Sequence, residues 1–137
     1  MFPGINDDLR IIGKDFYIIA GFFGVDGASA VLTTAAGTQP AAGLVGTWSK
    51  PAGTGLYRFT LVTTSKPNDI FWANGVVFAA AGTVDRLIEP VAKNLDSNNF
   101  VSTVDFQVRK KSDGSAVDPV SLTFMYCLLC KGSSLRP

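Results

Sequence analysis

The chain has 137 residues, of which 47% are hydrophobic and 17% charged, and its formal net charge is +1. That length fits one domain with enough core to fold without disulfide or metal staples, and the near-neutral charge, with no sustained basic face, argues against nucleic acid as the main partner. There is no histidine, which removes the commonest general base and metal ligand and makes a Ser-His-Asp or Cys-His arrangement within one chain impossible.

Residues 1–14 read as an irregular N-terminal arm that lies on a neighbour or on a sheet edge, or else as a frayed terminus. Pro3-Gly4 is a breaker pair, Asn6-Asp7-Asp8 a cap or turn cluster, and Leu9 to Ile12 either a short strand or one helical turn. The first residues lack the basic region of a targeting segment. Asp15 to Gly24 predicts a strand with Phe16, Ile18, Ala20 and Phe22 on one face and Tyr17, Ile19, Gly21 and Phe23 on the other. Both faces are apolar, which predicts that both are covered, and the apolar run is far shorter than the ~20 residues of a membrane span. Ala28 to Thr33 predicts a weaker strand, and Thr34 to Gly43 a loop of small residues.

Leu44 to Ser49 predicts a strand joined through Lys50-Pro51-Ala52-Gly53 to Thr54–Val62 as a hairpin. In the second arm Tyr57, Phe59 and Leu61 share one face, with Arg58 and Thr60 on the other; Gly53 and Gly55 read as turn residues, since their spacing fits no phosphate-binding fingerprint. Ile70-Phe71-Trp72 reads as a helical turn or the start of a strand, Asn74-Gly75 as a turn, and Val76 to Ala80 as a short strand. Val84 to Val91 is a further strand, which Pro90 confines to an edge or an end, and Lys93 to Asn99 a loop.

Phe100 to Arg109 predicts a half-buried strand with Val104, Phe106 and Val108 inward and Thr103, Asp105 and Gln107 outward, Asp105 reading as a solvated acid. Arg109-Lys110-Lys111 runs into Ser112-Asp113-Gly114-Ser115 and reads as a solvated hairpin tip. Val120 to Cys130 is the last strand, apolar on both sides apart from Thr123, which suits a central strand or a subunit interface. Lys131 to Pro137 is a polar tail. Residues three apart on a strand point to opposite faces, so Cys127 and Cys130 read as buried reduced thiols rather than as a metal or redox pair.

Together these elements predict an all-β fold, an antiparallel β-sandwich of jelly-roll-like type with seven to eight strands. The sandwich spans residues 15–131, between the arm and a tail at 132–137. The charged share is below the roughly 25% of an average soluble domain, so some apolar surface is expected to be covered by another subunit or a partner. The acids are scattered through turns, which argues against paired-carboxylate chemistry. No catalytic, cofactor-binding or metal-binding residue is predicted, no cofactor is expected, and the reading is that of a protein that is not an enzyme. Trp48, Phe71 and Trp72 could form an aromatic platform for a sugar, although such residues in a sandwich are more often core.

Three stretches resemble small virion proteins of tailed bacteriophages: Val45 to Leu61, with its Gly-x-Gly turn; Val104 to Val108 followed by Ala116-Val117-Asp118-Pro119; and Leu122 to Leu129, ending in Lys131-Gly132-Ser133-Ser134. The resemblance covers roughly two-thirds of the chain. It departs from that family at Cys127, Cys130, Trp48 and Trp72. It implies a head-decoration or cement protein, a homotrimeric β-sandwich bound to the major capsid protein on the outer capsid surface of the virion, made in the host cytoplasm and engaging neither nucleic acid nor membrane. A tail, fibre or baseplate component with a receptor- or glycan-binding face is the alternative. Candidate subunit or capsid contacts are Phe2, Ile5, Tyr17, Phe23, Trp72, Met125 and Leu129.

Overall fold

The alternating patterns of the sequence become two stacked antiparallel sheets. The computed structural model describes residues 9–12, 16–31, 46–61, 66–78 and 84–132. Its strands are β1 (Leu9–Ile12), β2 (Phe16–Gly24), β3 (Gly46–Ser49), β4 (Leu56–Leu61), β5 (Asp69–Phe78), β6 (Leu87–Leu95), β7 (Val101–Arg109) and β8 (Thr123–Lys131). The first sheet has the order β1-β2-β8-β5 and the second β3-β4-β7-β6. The long-range pairs β2 with β8 and β4 with β7 therefore lie in different sheets, stacked as a β-sandwich. No helix occurs among the described residues.

The core is the odd face of β2, the even face of β8 and the inward faces of β4 and β7, closed by Trp48 from β3 and Ile88 from β6. Aromatic rings fill the gap between the sheets. Trp48 stacks on Phe23 at 3.9 Å between centroids and meets Tyr126 edge-on at 5.0 Å, with Phe59 and Phe106 at 5.2 and 5.3 Å. Tyr57 is fully buried with its hydroxyl donating to the Ser29 carbonyl at 2.7 Å. Burial first, and then the charges of Asp118 and Asp26, push the Tyr57 phenol far above its usual range, so it stays a donor.

The turn into β4 is set by two glycines. Gly53 and Gly55 have φ of 125° and 71°, a region that side chains disfavour, and a Cβ on Gly55 would lie 2.5 Å from the Val108 carbonyl oxygen. The Gly55 amide donates to Asp118 Oδ1 at 2.7 Å, tying the turn to the loop before β8. The hairpin follows in the expected register, Trp48 opposite Phe59 and Ser49 opposite Arg58.

Several expectations need correction. Residues 28–31 form no strand: Asp26 accepts from the amides of Ala28 and Ala30, and Val25 and Val31 make a single bridge. Asn74-Gly75 is not a turn but the middle of β5. Gly75 is glycine because β6 crosses above it, where a Cβ would sit 2.7 Å from Ile88 Cγ2. β6 starts later than expected and runs on to Leu95, through Pro90, at the edge of its sheet with a bulge between Pro90 and Ala92. Leu9–Ile12, by contrast, takes the strand rather than the helical turn of its two expected forms and pairs with β2 at the sheet edge, where the arm was expected to lie. Asp105 is not a solvated acid: it is nearly buried, and Arg58, its cross-strand partner, grips it with Nε and Nη2 at 2.7 and 3.0 Å.

Candidate functional site

The side of the first sheet that faces away from the core is apolar almost throughout. β2 contributes Phe16, Ile18, Ala20 and Phe22, β8 contributes Met125, Cys127 and Leu129, and β5 contributes Trp72, Val76 and Phe78. The register aligns them in rows across three strands: Ile18–Leu129–Trp72, Ala20–Cys127–Asn74 and Phe22–Met125–Val76. Asn74 is the one polar side chain in these rows. Edge-to-face contact of Phe22 with Phe78 at 5.7 Å and a tilted contact of Phe16 with Phe71 at 5.5 Å hold the rings at the ends of the face. Between them lies a shallow apolar depression of about 330 Å3 lined by Ala20, Trp72, Asn74, Val76, Met125, Tyr126 and Cys127.

This surface is large. Phe16, Phe71, Trp72 and Phe78 are each 49–58% exposed. A large aromatic side chain offers about 200 Å2, so these four rings alone show water roughly 400 Å2. Val76 and Met125, also exposed, and the half-buried Ile18, Phe22 and Leu129 raise the total to about 600 Å2, the upper end for a contiguous patch on a monomeric protein.

The outer face of the second sheet has the opposite chemistry. It carries Thr47, Ser49, Arg58, Thr60, Thr103, Asp105 and Gln107, and its charges are satisfied internally. Besides the Arg58–Asp105 fork, Arg109 donates to Glu89 at 2.8 Å and to Gln107 at 2.6 Å, and Asn94 to Thr103 at 2.8 Å. Across β3, β4 and β7 the second sheet therefore faces water with polar groups, whereas the first faces it with hydrocarbon; the second sheet's edge strand β6 also exposes Val91 and Leu95.

The acids act as turn fasteners. Asp96 accepts from Lys66 and from the amides of Asn98 and Phe100; Asp85 accepts from Ser112, and Asp113 from Ser115. These bonds hold the three carboxyls below their usual range, as the Gly55 amide and Lys50 do for Asp118. Among the described residues no three His, Cys, Asp or Glu side chains cluster in a way that could hold a metal ion. Neither cysteine is in a disulfide: Cys130 lies in the core and Cys127 on the outer face, as the strand alternation requires, and burial pushes the Cys127 thiol up.

Of the contact residues proposed from sequence, the structure brings Trp72, Met125 and Leu129 together, Trp72 and Leu129 as cross-strand partners. Tyr17 and Phe23 lie on the wrong side: they point into the core, where Phe23 stacks between Trp48 and Phe124. Phe2 and Ile5 lie outside the described residues. Trp48 cannot share a platform with Phe71 and Trp72, being 4% exposed and on the opposite side of the sheet. Sequence reasoning missed Phe16, Ile18, Phe22, Val76 and Phe78. For β2 the alternation was visible but equally apolar on both sides, and for β5 the Asn-Gly pair masked it.

Comparison with protein-family models, with curated proteins and with solved structures returns no match for this chain.

Proposed function

We propose that this chain is a non-enzymatic structural protein of a tailed-phage virion, a head-decoration protein that assembles as a homotrimer and stabilises the capsid shell from outside. The observation that carries the assembly part is the apolar outer face of β2, β8 and β5. Left in water, about 600 Å2 of hydrocarbon is a standing cost of roughly 25 cal/mol per Å2, and it approaches the ~800 Å2 that each partner contributes to a specific interface. A second and third copy carry the same face and cover it without requiring any other chain. The polar second sheet then remains outward, and its ion pairs keep the assembly soluble.

The virion setting rests on the resemblance of Val45–Leu61, Val104–Val108 and Leu122–Leu129 to that family. A decoration protein works by many repeated weak contacts at symmetry axes, where trivalent attachment raises avidity without new contacts per chain. It needs a self-interface and a shell contact. Quantitative mass spectrometry of purified virions tests the setting: a copy number comparable to that of the major capsid protein supports decoration, absence from the particle overturns it, and only a few copies per particle places the chain in the tail or baseplate instead.

A further inference from the structure

The depression on the outer face of the first sheet is an apolar hole with one polar feature. Its floor row, Ala20–Cys127–Asn74, is made of small side chains and runs between two rows of bulkier ones, Ile18–Leu129–Trp72 and Phe22–Met125–Val76. Each flanking row stands two residues along the strands, about 7 Å, from the small row, which is therefore a trough between ridges. The ring of Tyr126 lies in the core against Trp48 and Phe59, and of the other side chains lining the hole only Asn74 and Trp72 carry nitrogen or oxygen. Asn74 is exposed, and its side-chain amide has no hydrogen-bond partner among the described residues. A group that fills the hole must be large and mostly apolar. It must also bring a polar atom to Asn74, because an amide covered without a partner weakens association.

The same face carries such a group. Of the exposed large apolar side chains among the described residues, Trp72 alone has a nitrogen or an oxygen. Half of it is open to water, and its indole N–H has no acceptor among the described residues. An indole is a hydrocarbon ring system with a single donor, and that donor takes an acceptor when it is buried.

Building on the homo-oligomer reading above, we infer that Trp72 of one copy seats in the depression of a second copy, its Nε1–H donating to Oδ1 of that copy's Asn74. Trp72 and Asn74 stand two residues apart on β5, so knob and acceptor lie side by side on each chain. Trp72 also walls the depression, so an inserted indole lies beside the indole of the copy that receives it, and the rings gather near the symmetry axis. The contact serves a ring, where it passes from copy to copy, and a pair, where it is exchanged. A tryptophan filling a pocket near the centre of an interface is a common seat of binding energy.

The test is the association of Trp72→Phe, Asn74→Leu and the double variant, read by sedimentation over a dilution series. Were the face held by hydrocarbon alone, Asn74→Leu would strengthen association. With Asn74 as the acceptor, Asn74→Leu leaves a buried indole N–H unpaired and Trp72→Phe leaves the amide unpaired, and each should weaken association about tenfold or more. The double variant removes both polar partners, so it should associate more tightly than Trp72→Phe alone. Strengthening by Asn74→Leu in the unmodified chain, or the same effect in both backgrounds, overturns the inference. Coupling of the two changes in urea unfolding of the monomer would place the bond within one chain and also overturn it. Acrylamide quenching of the unmodified chain gives a second readout. Trp48 is buried, so the tryptophan reached in the dilute monomer is Trp72, and assembly should close it. A Trp72 still open in the oligomer overturns the inference and leaves the homo-oligomer reading standing. One already closed in the monomer puts a segment of the same chain in the depression and overturns the inference, and a chain that light scattering shows as a monomer at every concentration overturns both.

Discussion

Replacing Met125 by glutamate separates the face from the fold. Met125 is 39% exposed and stands between Phe22 and Val76 on the outer side of β8. In the isolated chain the new carboxylate projects into water, and a surface change of this kind costs within about 0.5 kcal/mol of stability. In the proposed assembly it would be removed from water, with no cation near it on β8. Lys131 is six residues along the same strand, about 20 Å away. The effective penalty for an unpaired buried charge is several kcal/mol, and at 1.4 kcal/mol per tenfold a cost of about 3 kcal/mol weakens association more than 100-fold. Sedimentation across a dilution series reads the association, and urea unfolding at a concentration where the chain is monomeric reads the fold. Unchanged association, or a monomer destabilised by more than about 2 kcal/mol, would refute the assignment of this face to assembly.

Three further outcomes follow from the interior and the turns. Trp48→Ala removes the ring at the centre of the aromatic core and should cost about 3–5 kcal/mol in urea unfolding; a loss below about 1 kcal/mol would mean that the core collapses around the gap. Gly75→Val forces a side chain into Ile88 and should cost about 1–3 kcal/mol, whereas a turn at Asn74-Gly75 on the surface would tolerate the change; thermal unfolding distinguishes the two. The folded-state carboxyls of Asp69, Asp85, Asp96, Asp113 and Asp118 are held below their usual values, mainly by the hydrogen bonds they accept. The unfolded chain therefore takes up protons first as the pH falls, so this stabilisation is present above about pH 4 and is lost below it. The urea midpoint should drop between pH 6 and pH 3, less steeply in Asp118→Asn; a flat profile would contradict the turn-fastener role.

How far the sequence could be read depended on contrast between faces. β4 and β7 alternate polar and apolar residues, and the inward sets Tyr57, Phe59, Leu61 and Val104, Phe106, Val108 were legible residue by residue. β2 and β8 are apolar on both faces, which signals double coverage. Parity carries no sign there, so Tyr17 and Phe23 were taken for contact residues when they are core. β5 was broken at Asn74-Gly75 because glycine is a turn former locally, while its reason here is tertiary, the crossing of Ile88. Asp105 looked solvated because the register that sets Arg58 directly opposite it joins strands 47 residues apart in the chain. The site was thus half legible. A second apolar face was foreseen, but its membership waited on which side of each strand the core lies.

The most direct measurement is the mass of the purified chain in solution, by light scattering over a range of concentrations. The homotrimer reading predicts a species of three times the 14.5 kDa chain mass that dissociates on dilution or on Met125→Glu. A 14.5 kDa monomer persisting at high concentration, with Phe16, Trp72, Val76 and Phe78 still open to water, would contradict it.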